Sequence, residues 1–107
     1  MKGPWPQPLT AAGTPNLASF LTELDEIRAR GYSIDDGEVR EGMYCFGAPV
    51  FDSSAMHAVA GVAVSMLSLD VTAASQEKAG RAIRRLADRL SERLGASLAL
   101  IQKKQTA

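Results

Sequence analysis

Two apolar runs that lie close together in the chain constrain its fold more than any other feature. Neither residues 43–51 (MYCFGAPVF) nor residues 57–67 (HAVAGVAVSML) contain Asp, Glu, Lys or Arg, and the polar connection 52–56 has the length of a hairpin loop. The two runs are therefore predicted to pair as antiparallel strands. Pro49 has no N–H to donate, so it is expected at a bulge or with its nitrogen facing away from the partner strand. The stretch 58–67 is far shorter than the ~20 residues that cross a bilayer, which predicts a buried strand and not a membrane segment.

A first stretch with helical periodicity precedes this hairpin. Asn16 or Thr14 can cap its start, and Gly31 is expected to end it in a left-handed conformation. Its apolar positions recur at three- and four-residue steps and are Leu17, Phe20, Leu21, Leu24 and Ile27. Between this helix and the hairpin, residues 32–34 (YSI) are predicted to form a short strand and residues 35–38 (DDGE) a turn or strand exit.

A second, longer helix is predicted after the hairpin, opening near Thr72 or Ser75 and stopping at Gly95. Its apolar positions are Ala79, Ile83, Leu86, Ala87, Leu90 and Leu94. Its outer face carries a basic excess, formed by Lys78, Arg81, Arg84, Arg85, Arg89 and Arg93 against Glu77, Asp88 and Glu92. We interpret this face as a solvated helix surface, with contact to phosphate as the alternative.

The two ends of the chain differ in composition from its middle. Residues 1–15 are rich in Pro and Gly and are expected to form an extended lead-in segment, with Trp5 resting on the domain. Residues 16–101 form the predicted domain, in which Leu98, Leu100 and Ile101 add a short strand or a packing turn before the polar tail 102–107. The predicted fold class is α+β, an antiparallel sheet of about three strands with two amphipathic helices.

The charges and the sulfur and imidazole groups exclude several kinds of protein. The 107 residues include 12 basic and 12 acidic side chains, so no global field attracts the chain to nucleic acid or to an anionic membrane. Cys45 is the single cysteine and His57 the single histidine, which leaves no internal disulfide and no zinc cluster. A catalytic cysteine needs a nearby base, and His57 lies at the other end of the predicted hairpin. With no secretory signal in residues 1–15, the sequence predicts a cytoplasmic protein that is not an enzyme, needs no cofactor and binds neither DNA nor membrane by itself.

Three segments carry a more specific signal than the order of elements, which is common to GAF- and PAS-like sensor domains. They are Leu24-x-x-Ile27-Arg28-x-Arg30-Gly31-Tyr32-x-x-Asp35-Asp36-x-Glu38, Gly42-x-x-Cys45-x-x-Ala48-Pro49-Val50-Phe51-Asp52, and Val59-Ala60-Gly61-Val62-Ala63-Val64-Ser65. In this order, from about Pro15 to Gly95, they resemble the effector domain of the IclR family of bacterial transcriptional regulators. The resemblance implies the second part of a GAF-like domain that binds a small, usually carboxylate-bearing metabolite and mediates assembly into dimers or tetramers. It also implies that the first part of that domain and a DNA-binding winged helix-turn-helix lie outside these 107 residues.

The resemblance also implies effector-binding positions, which map onto Asp35, Cys45 and Ser65, with Met43 as an apolar wall. Asp35 would accept a hydrogen bond from a ligand hydroxyl, because its charge repels a carboxylate, or it satisfies backbone N–H groups of its own turn. Cys45 is either a ligand contact or a small apolar residue of the core. Ser65 either donates its hydroxyl to a ligand oxygen or bonds to the backbone.

Two departures from the family pattern make the expected pocket less polar. Ala63 stands where the family commonly has a second serine, and Met66 and Leu67 replace a Gly-Pro. The expected effector is therefore a carboxylate-bearing or aromatic metabolite that is more apolar than the smallest keto acids. Backbone amides that would hold a carboxylate are expected outside these residues.

The strand at residues 57–67 would normally lie beside a strand of the absent part. Its bare edge is expected to pair with another copy or with a full-length regulator, or to aggregate. The leading hypothesis is a truncated IclR-type regulator that senses an effector and oligomerises without a DNA-binding domain of its own. The alternative hypothesis is an interaction module that dimerises but has lost metabolite binding.

Overall fold

A computed structural model describes residues 4–54 and 57–101 and shows an α+β fold with a three-stranded antiparallel sheet in the order β1-β2-β3. Its elements are α1 (Leu17–Arg30), β1 (Ser33–Asp36), β2 (Met43–Phe51), β3 (Ala58–Leu67), a short 3-10 turn (Ser68–Asp70) and α2 (Ala73–Arg93). The predicted fold class is confirmed. Within the described ranges, no helix is both long enough and apolar enough to span a membrane.

The predicted hairpin is present, and β2 and β3 are antiparallel neighbours. The pairing runs from Met43 opposite Leu67 to Phe51 opposite Ala58, with a register shift between Val50 and Phe51. Part of the predicted connection, residues 55–56, lies outside the described residues. Pro49 lies beyond the last β1–β2 pair, where β2 has a neighbour on one side only, so its missing N–H costs no bond to β1.

Strand β1 is longer than the sequence indicated, because Asp35 and Asp36 belong to it. They lie opposite Cys45 and Tyr44 in the β1–β2 ladder, and the turn begins only at Gly37. Aspartate has a local preference for turns. In this chain the backbone groups of Asp35 and Asp36 pair with β2, and this pairing overrides the local preference.

Helix α1 begins after Asn16 and ends at Gly31, the two capping residues from which its bounds were predicted. The Asn16 side chain accepts a hydrogen bond from Ser19 N at 2.9 Å, and Gly31 ends the helix with a φ of 93°. The lead-in packs against this helix, since the Trp5 ring lies 5.6 Å from the Phe20 ring and its indole N–H donates to Thr14 O at 2.7 Å. The expected role of Trp5 as an aromatic resting on the domain is confirmed.

Helix α2 begins at the predicted threonine and supplies one side of the core. Thr72 and Ser75 form a capping box, and the helix runs to Arg93, just before Gly95. The core that it builds with the sheet consists of Tyr32, Phe46, Ala48, Val50, Ile83 and Ala87. The Tyr32 ring packs directly against the α2 backbone at Gly80. A residue with a Cβ at this position would collide with the ring, so the contact requires glycine.

The sequence expectation about the burial of β3 is wrong, and the two alternatives for the end of the domain are resolved. Strand β3 was expected to be buried, but nearly all of its residues are exposed, because it is an edge strand that pairs with β2 along one edge and packs against α2 on one face. Residues 98–101 form a helical turn and not a short strand. That turn buries Ile101 against Ala96, so the alternative expectation of a packing turn holds.

Candidate functional site

Asp35, Cys45 and Ser65 form a single row across the three strands. Asp35 lies directly opposite Cys45, and Cys45 lies directly opposite Ser65. Directly opposed residues point to the same face of a sheet, and adjacent strands are about 4.8 Å apart, which puts the backbones of Asp35 and Ser65 about 10 Å apart. The row is therefore as long as a small organic metabolite.

This row lies on the face of the sheet that points away from α2. Phe46 and Ala48 alternate with the row along β2 and are buried together with Ile83 of α2. Because successive side chains of a strand point to opposite faces, Cys45 and Met43 lie on the other side. All four residues that the sequence predicted for effector binding thus share one face of the sheet, which we call the row face.

Hydrogen bonds within the row face engage some of its polar groups. The Cys45 Sγ and Ser65 Oγ atoms are 3.2 Å apart, close enough for either to donate to the other. Asp35 Oδ1 accepts a hydrogen bond from Glu38 N at 2.8 Å, which holds the start of the β1–β2 connection. This bond corresponds to the structural role that the sequence offered for Asp35, and it leaves the carboxylate on the same face as Ser65.

The described residues leave the row face open to solvent. Ser65 is exposed, and Asp35, Met43 and Cys45 are half-buried. An open groove of about 390 Å³ lies elsewhere, against α1, and shares no residue with the row; it is lined by Ser19, Thr22, Glu23, Glu26, Arg30 and Ile34. The structure therefore brings the predicted residues together but does not surround them.

A further polar residue on this face, Ser33, was not predicted from the sequence. Ser33 lies opposite Gly47, which in turn lies opposite Ala63, and the Ser33 hydroxyl donates to Gly47 O at 3.3 Å. This second row puts a hydroxyl on the same level of the sheet as Ala63, the position at which the sequence resemblance implies a serine. Alternation along β1 from Asp35 could have revealed Ser33, but the sequence alone did not show that the strand reaches Asp35.

The electrostatics of the row face disfavour a bare carboxylate ligand. None of the three strands contains Lys or Arg, and Asp35 contributes a negative charge. Close by, burial together with the charges of Glu23, Asp35 and Asp36 raises the pKa of Glu38, although its bond with Thr14 opposes the shift. The face offers hydroxyl, thiol and apolar contacts, so a ligand held by these residues alone needs hydroxyl or aromatic groups.

Neither metal binding nor cysteine catalysis has the necessary groups in the described ranges. No three His, Cys, Asp or Glu side chains come together there in a way that could hold a metal ion. His57 precedes β3 at the far end of the hairpin, eight positions from Ser65, the residue opposite Cys45, so about 26 Å of strand separate it from Cys45. The distance rules out His57 as a base for Cys45 within this chain.

This chain is similar in sequence and in structure to known bacterial transcriptional regulators. The family described as bacterial transcriptional regulator IclR C-terminal matches residues 5–92. The HTH-type transcriptional regulator BhcR of Paracoccus denitrificans is 46% identical over 48 residues, which make up 45% of this chain and 17% of that protein. The solved structure of the repressor BlcR of Agobacterium tumefaciens has a TM-score of 0.83 and 43% identity, covering 87% of this chain and 37% of that one. The C-terminal domain of the E. coli transcriptional regulator KdgR has a TM-score of 0.76 and 26% identity, covering 83% of this chain and 54% of that one.

The chain corresponds to only part of each of these relatives. It covers well under two thirds of their length, even where the solved structure is a C-terminal domain alone. The family match starts at residue 5, so it also includes the lead-in that packs on α1, upstream of the Pro15 at which the sequence resemblance started. The chain belongs to the C-terminal domain family of the IclR bacterial transcriptional regulators.

Proposed function

We propose that this chain is an effector-sensing and subunit-association part of an IclR-type transcriptional regulator, and that it acts in the cytoplasm. The single observation that supports sensing best is the alignment of Asp35, Cys45 and Ser65 in one row on a face that α2 leaves uncovered. The family membership makes a regulatory role, and not an enzymatic one, the natural assignment. DNA contact is assigned to other parts of such regulators, because this chain carries no net charge.

The chemistry of the row face narrows the proposed effector class. Ser65 supplies a hydroxyl donor, Asp35 an acceptor, and Met43 and Leu67 an apolar neighbour pair one level along the strands. An aromatic or otherwise apolar metabolite with a hydroxyl group fits these contacts. If it also carries a carboxylate, that group must point away from Asp35, toward donors that these residues do not supply.

Titration calorimetry on the 107-residue chain with short carboxylic and aromatic acids, half of them hydroxylated, tests the sensing role. The variants are Ser65→Ala and Asp35→Asn, the latter chosen because its side-chain oxygen can still accept from Glu38 N. We expect at least one hydroxylated compound to bind, and each variant to weaken it about tenfold, as expected for the loss of one hydrogen bond to the ligand.

Asp36→Asn is the matched control for the binding experiment. Asp36 is the next residue along β1, points to the opposite face and accepts a hydrogen bond from the Tyr44 hydroxyl at 3.0 Å. Its replacement should leave the affinity unchanged. Flat calorimetric traces for every compound would exclude sensing by this chain.

The second candidate function is an interaction module that associates but binds no metabolite. Two observations favour it: the described residues leave the row face open, and Asp35 Oδ1 is already engaged by Glu38 N. Under this alternative the chain associates with another copy or with a full-length regulator. The calorimetric result decides between the two candidates, because only sensing requires a ligand.

A further inference from the structure

The groove beside α1 is formed by one short stretch of the chain. It has a volume of about 390 Å³, within the range of small-molecule sites, and its lining comes entirely from residues 19–34. Ile34 of β1 provides the apolar part of that lining, which puts the groove at the β1 edge of the sheet, at the opposite end of the strand order from β3. Four other lining residues follow at three- and four-residue steps on one side of α1: Ser19, Glu23, Glu26 and Arg30.

Opposite charges share this groove without neutralising each other. Glu26 and Arg30 have the i,i+4 spacing at which helical ion pairs form, and they are one turn, or about 6 Å, apart along the helix axis. They are not ion-paired in the described part of the chain, whereas Asp25 and Arg28 on the same helix are, at 3.1 Å. A carboxylate and a guanidinium therefore line one cavity as separate charges.

Contacts with Tyr32 explain why Arg30 does not turn toward Glu26. Arg30 Nε donates to Tyr32 O at 2.9 Å, and the guanidinium carbon lies 5.3 Å from the centre of the Tyr32 ring. Tyr32 is itself buried in the core against α2, so the guanidinium rests on a fixed support. The two terminal nitrogens of Arg30 make no hydrogen bond among the described residues, and they can donate to a carboxylate through two parallel bonds.

The acidic part of the groove has an acceptor available as well. Glu23 Oε2 lies 3.2 Å from the Thr14 hydroxyl, whereas Glu26 is exposed and makes no hydrogen bond or ion pair within the described ranges. A ligand with only a negative charge is repelled by the two glutamates, and one with only a positive charge is repelled by Arg30. A ligand that carries both charges close together can pair with both kinds of group.

We propose that this groove binds a small zwitterion, of the class of a free α-amino acid with an apolar side chain. The ligand carboxylate pairs with the terminal nitrogens of Arg30, its ammonium pairs with Glu26, and its side chain contacts Ile34. An α-amino acid carries both charged groups on one carbon, which suits the single helical turn between Glu26 and Arg30. The groove shares no residue with the row face, so this is a second site, independent of the effector binding proposed above.

An NMR titration of the 107-residue chain with L-valine tests the proposal. The matched analogues are isobutylamine, which keeps only the ammonium group, and 3-methylbutanoic acid, which keeps only the carboxylate. We expect valine to shift amides of α1 and of Ile34, with a Kd of about 1 mM for a small ligand in an open groove. Each analogue should bind at least tenfold more weakly, because each lacks one of the two charged contacts.

Two pairs of variants on α1 separate binding in the groove from general effects of charge. Glu26→Gln should weaken valine binding about tenfold, whereas Asp25→Asn removes the same charge from the same helix outside the groove and should leave the affinity unchanged. Arg30→Lys should also weaken binding, because an ammonium cannot form two parallel bonds, and Arg28→Lys is its control. Glu26 is exposed, so its variant tests the proposal even where Arg30→Lys disturbs Tyr32.

Three results would overturn the proposal: no shifts with valine even at tens of millimolar, equal binding of either analogue, or an affinity that Glu26→Gln leaves unchanged. Valine-induced shifts at Asp35, Cys45 and Ser65 in place of those at α1 would assign valine to the row face and would also overturn it. Binding of hydroxylated aromatic acids is measured separately and at different amides. The sensing role can therefore fail while this site stands, and the reverse also holds.

Discussion

The Cys45 Sγ atom lies 3.2 Å from the Ser65 Oγ atom across the β2–β3 ladder. The two residues are twenty positions apart in sequence and meet only because the hairpin register places them directly opposite each other. Cys45 is half-buried and Ser65 exposed, so the thiol lies beside a solvent-accessible hydroxyl on the row face. This arrangement makes the single cysteine a local reporter for anything that binds there.

A bound effector should protect Cys45 from alkylation. Because Cys45 is the only cysteine in the chain, the total rate of reaction with iodoacetamide reports this position alone. At a ligand concentration ten times Kd, about one tenth of the protein is free, so the rate should fall about tenfold. Mass spectrometry over time measures it. An unchanged rate with a compound that calorimetry shows to bind would place that compound away from the row face.

Replacing Gly80 by alanine should destabilise the fold. A Cβ at Gly80 would overlap the Tyr32 ring, and overpacking of this kind costs ~1–3 kcal/mol, more than the ~1 kcal/mol that alanine gains in helix propensity. We expect a net loss of up to about 2 kcal/mol in urea unfolding.

A double-mutant cycle identifies the cause of that loss. In a Tyr32→Ala background the collision is absent, so Gly80→Ala should stabilise the chain by up to about 1 kcal/mol. Gly61→Ala is the control for a glycine with room, because a Cβ there meets only Ala48 O at an ordinary 3.7 Å. A stabilising effect of Gly80→Ala in the unmodified background would contradict the packing that we describe.

Stability should also depend on pH through Glu38. The Thr14 hydroxyl lies 3.2 Å from Glu23 Oε2 and 3.1 Å from Glu38 Oε1, yet its single proton can be donated to only one of them at a time. Burial, followed by the charges of Glu23, Asp35 and Asp36, raises the pKa of Glu38. A raised folded-state pKa means that the folded chain holds this proton more tightly, so the contribution is present at low pH and is lost as the pH rises through that pKa.

The comparison of Glu38→Gln with the unmodified chain measures this dependence. The variant cannot ionise, so its stability relative to the unmodified chain should rise between about pH 4 and pH 7. Denaturant unfolding at several pH values measures the difference, with Glu41→Gln as an exposed control on the same β1–β2 connection. Parallel pH profiles for Glu38→Gln and the unmodified chain would show that Glu38 does not couple folding to pH.

Local sequence signals predicted the helices and the hairpin well. Asn16 and Thr72 cap their helices through side-chain bonds to nearby backbone, and Gly31 ends α1, because such interactions depend on residues within a few positions. The apolar runs and the connection between them likewise predicted antiparallel pairing of β2 and β3. The family resemblance then selected four residues that the structure places on one face.

Local sequence signals could not predict the features that depend on the rest of the fold. The apolar composition of β3 predicted burial, but burial depends on what covers a strand, and in the described part of the chain β3 is an edge strand with α2 packed on one face. Asp35 and Asp36 have turn propensity, which the ladder to β2 overrides. The Cys45–Ser65 contact and the position of Ser33 required the register, which the sequence pattern alone does not fix.

An effector is expected to bind at the row face, and an NMR titration of the 107-residue chain can locate the binding site residue by residue. We predict that, for a hydroxylated aromatic acid from the calorimetric panel, the largest amide shifts occur at Asp35, Cys45 and Ser65 and at their neighbours on the strands. Amides of α2, on the other side of the sheet, should change little. Shifts confined to α2 or to the groove beside α1, or no shifts with any compound, would contradict the claim.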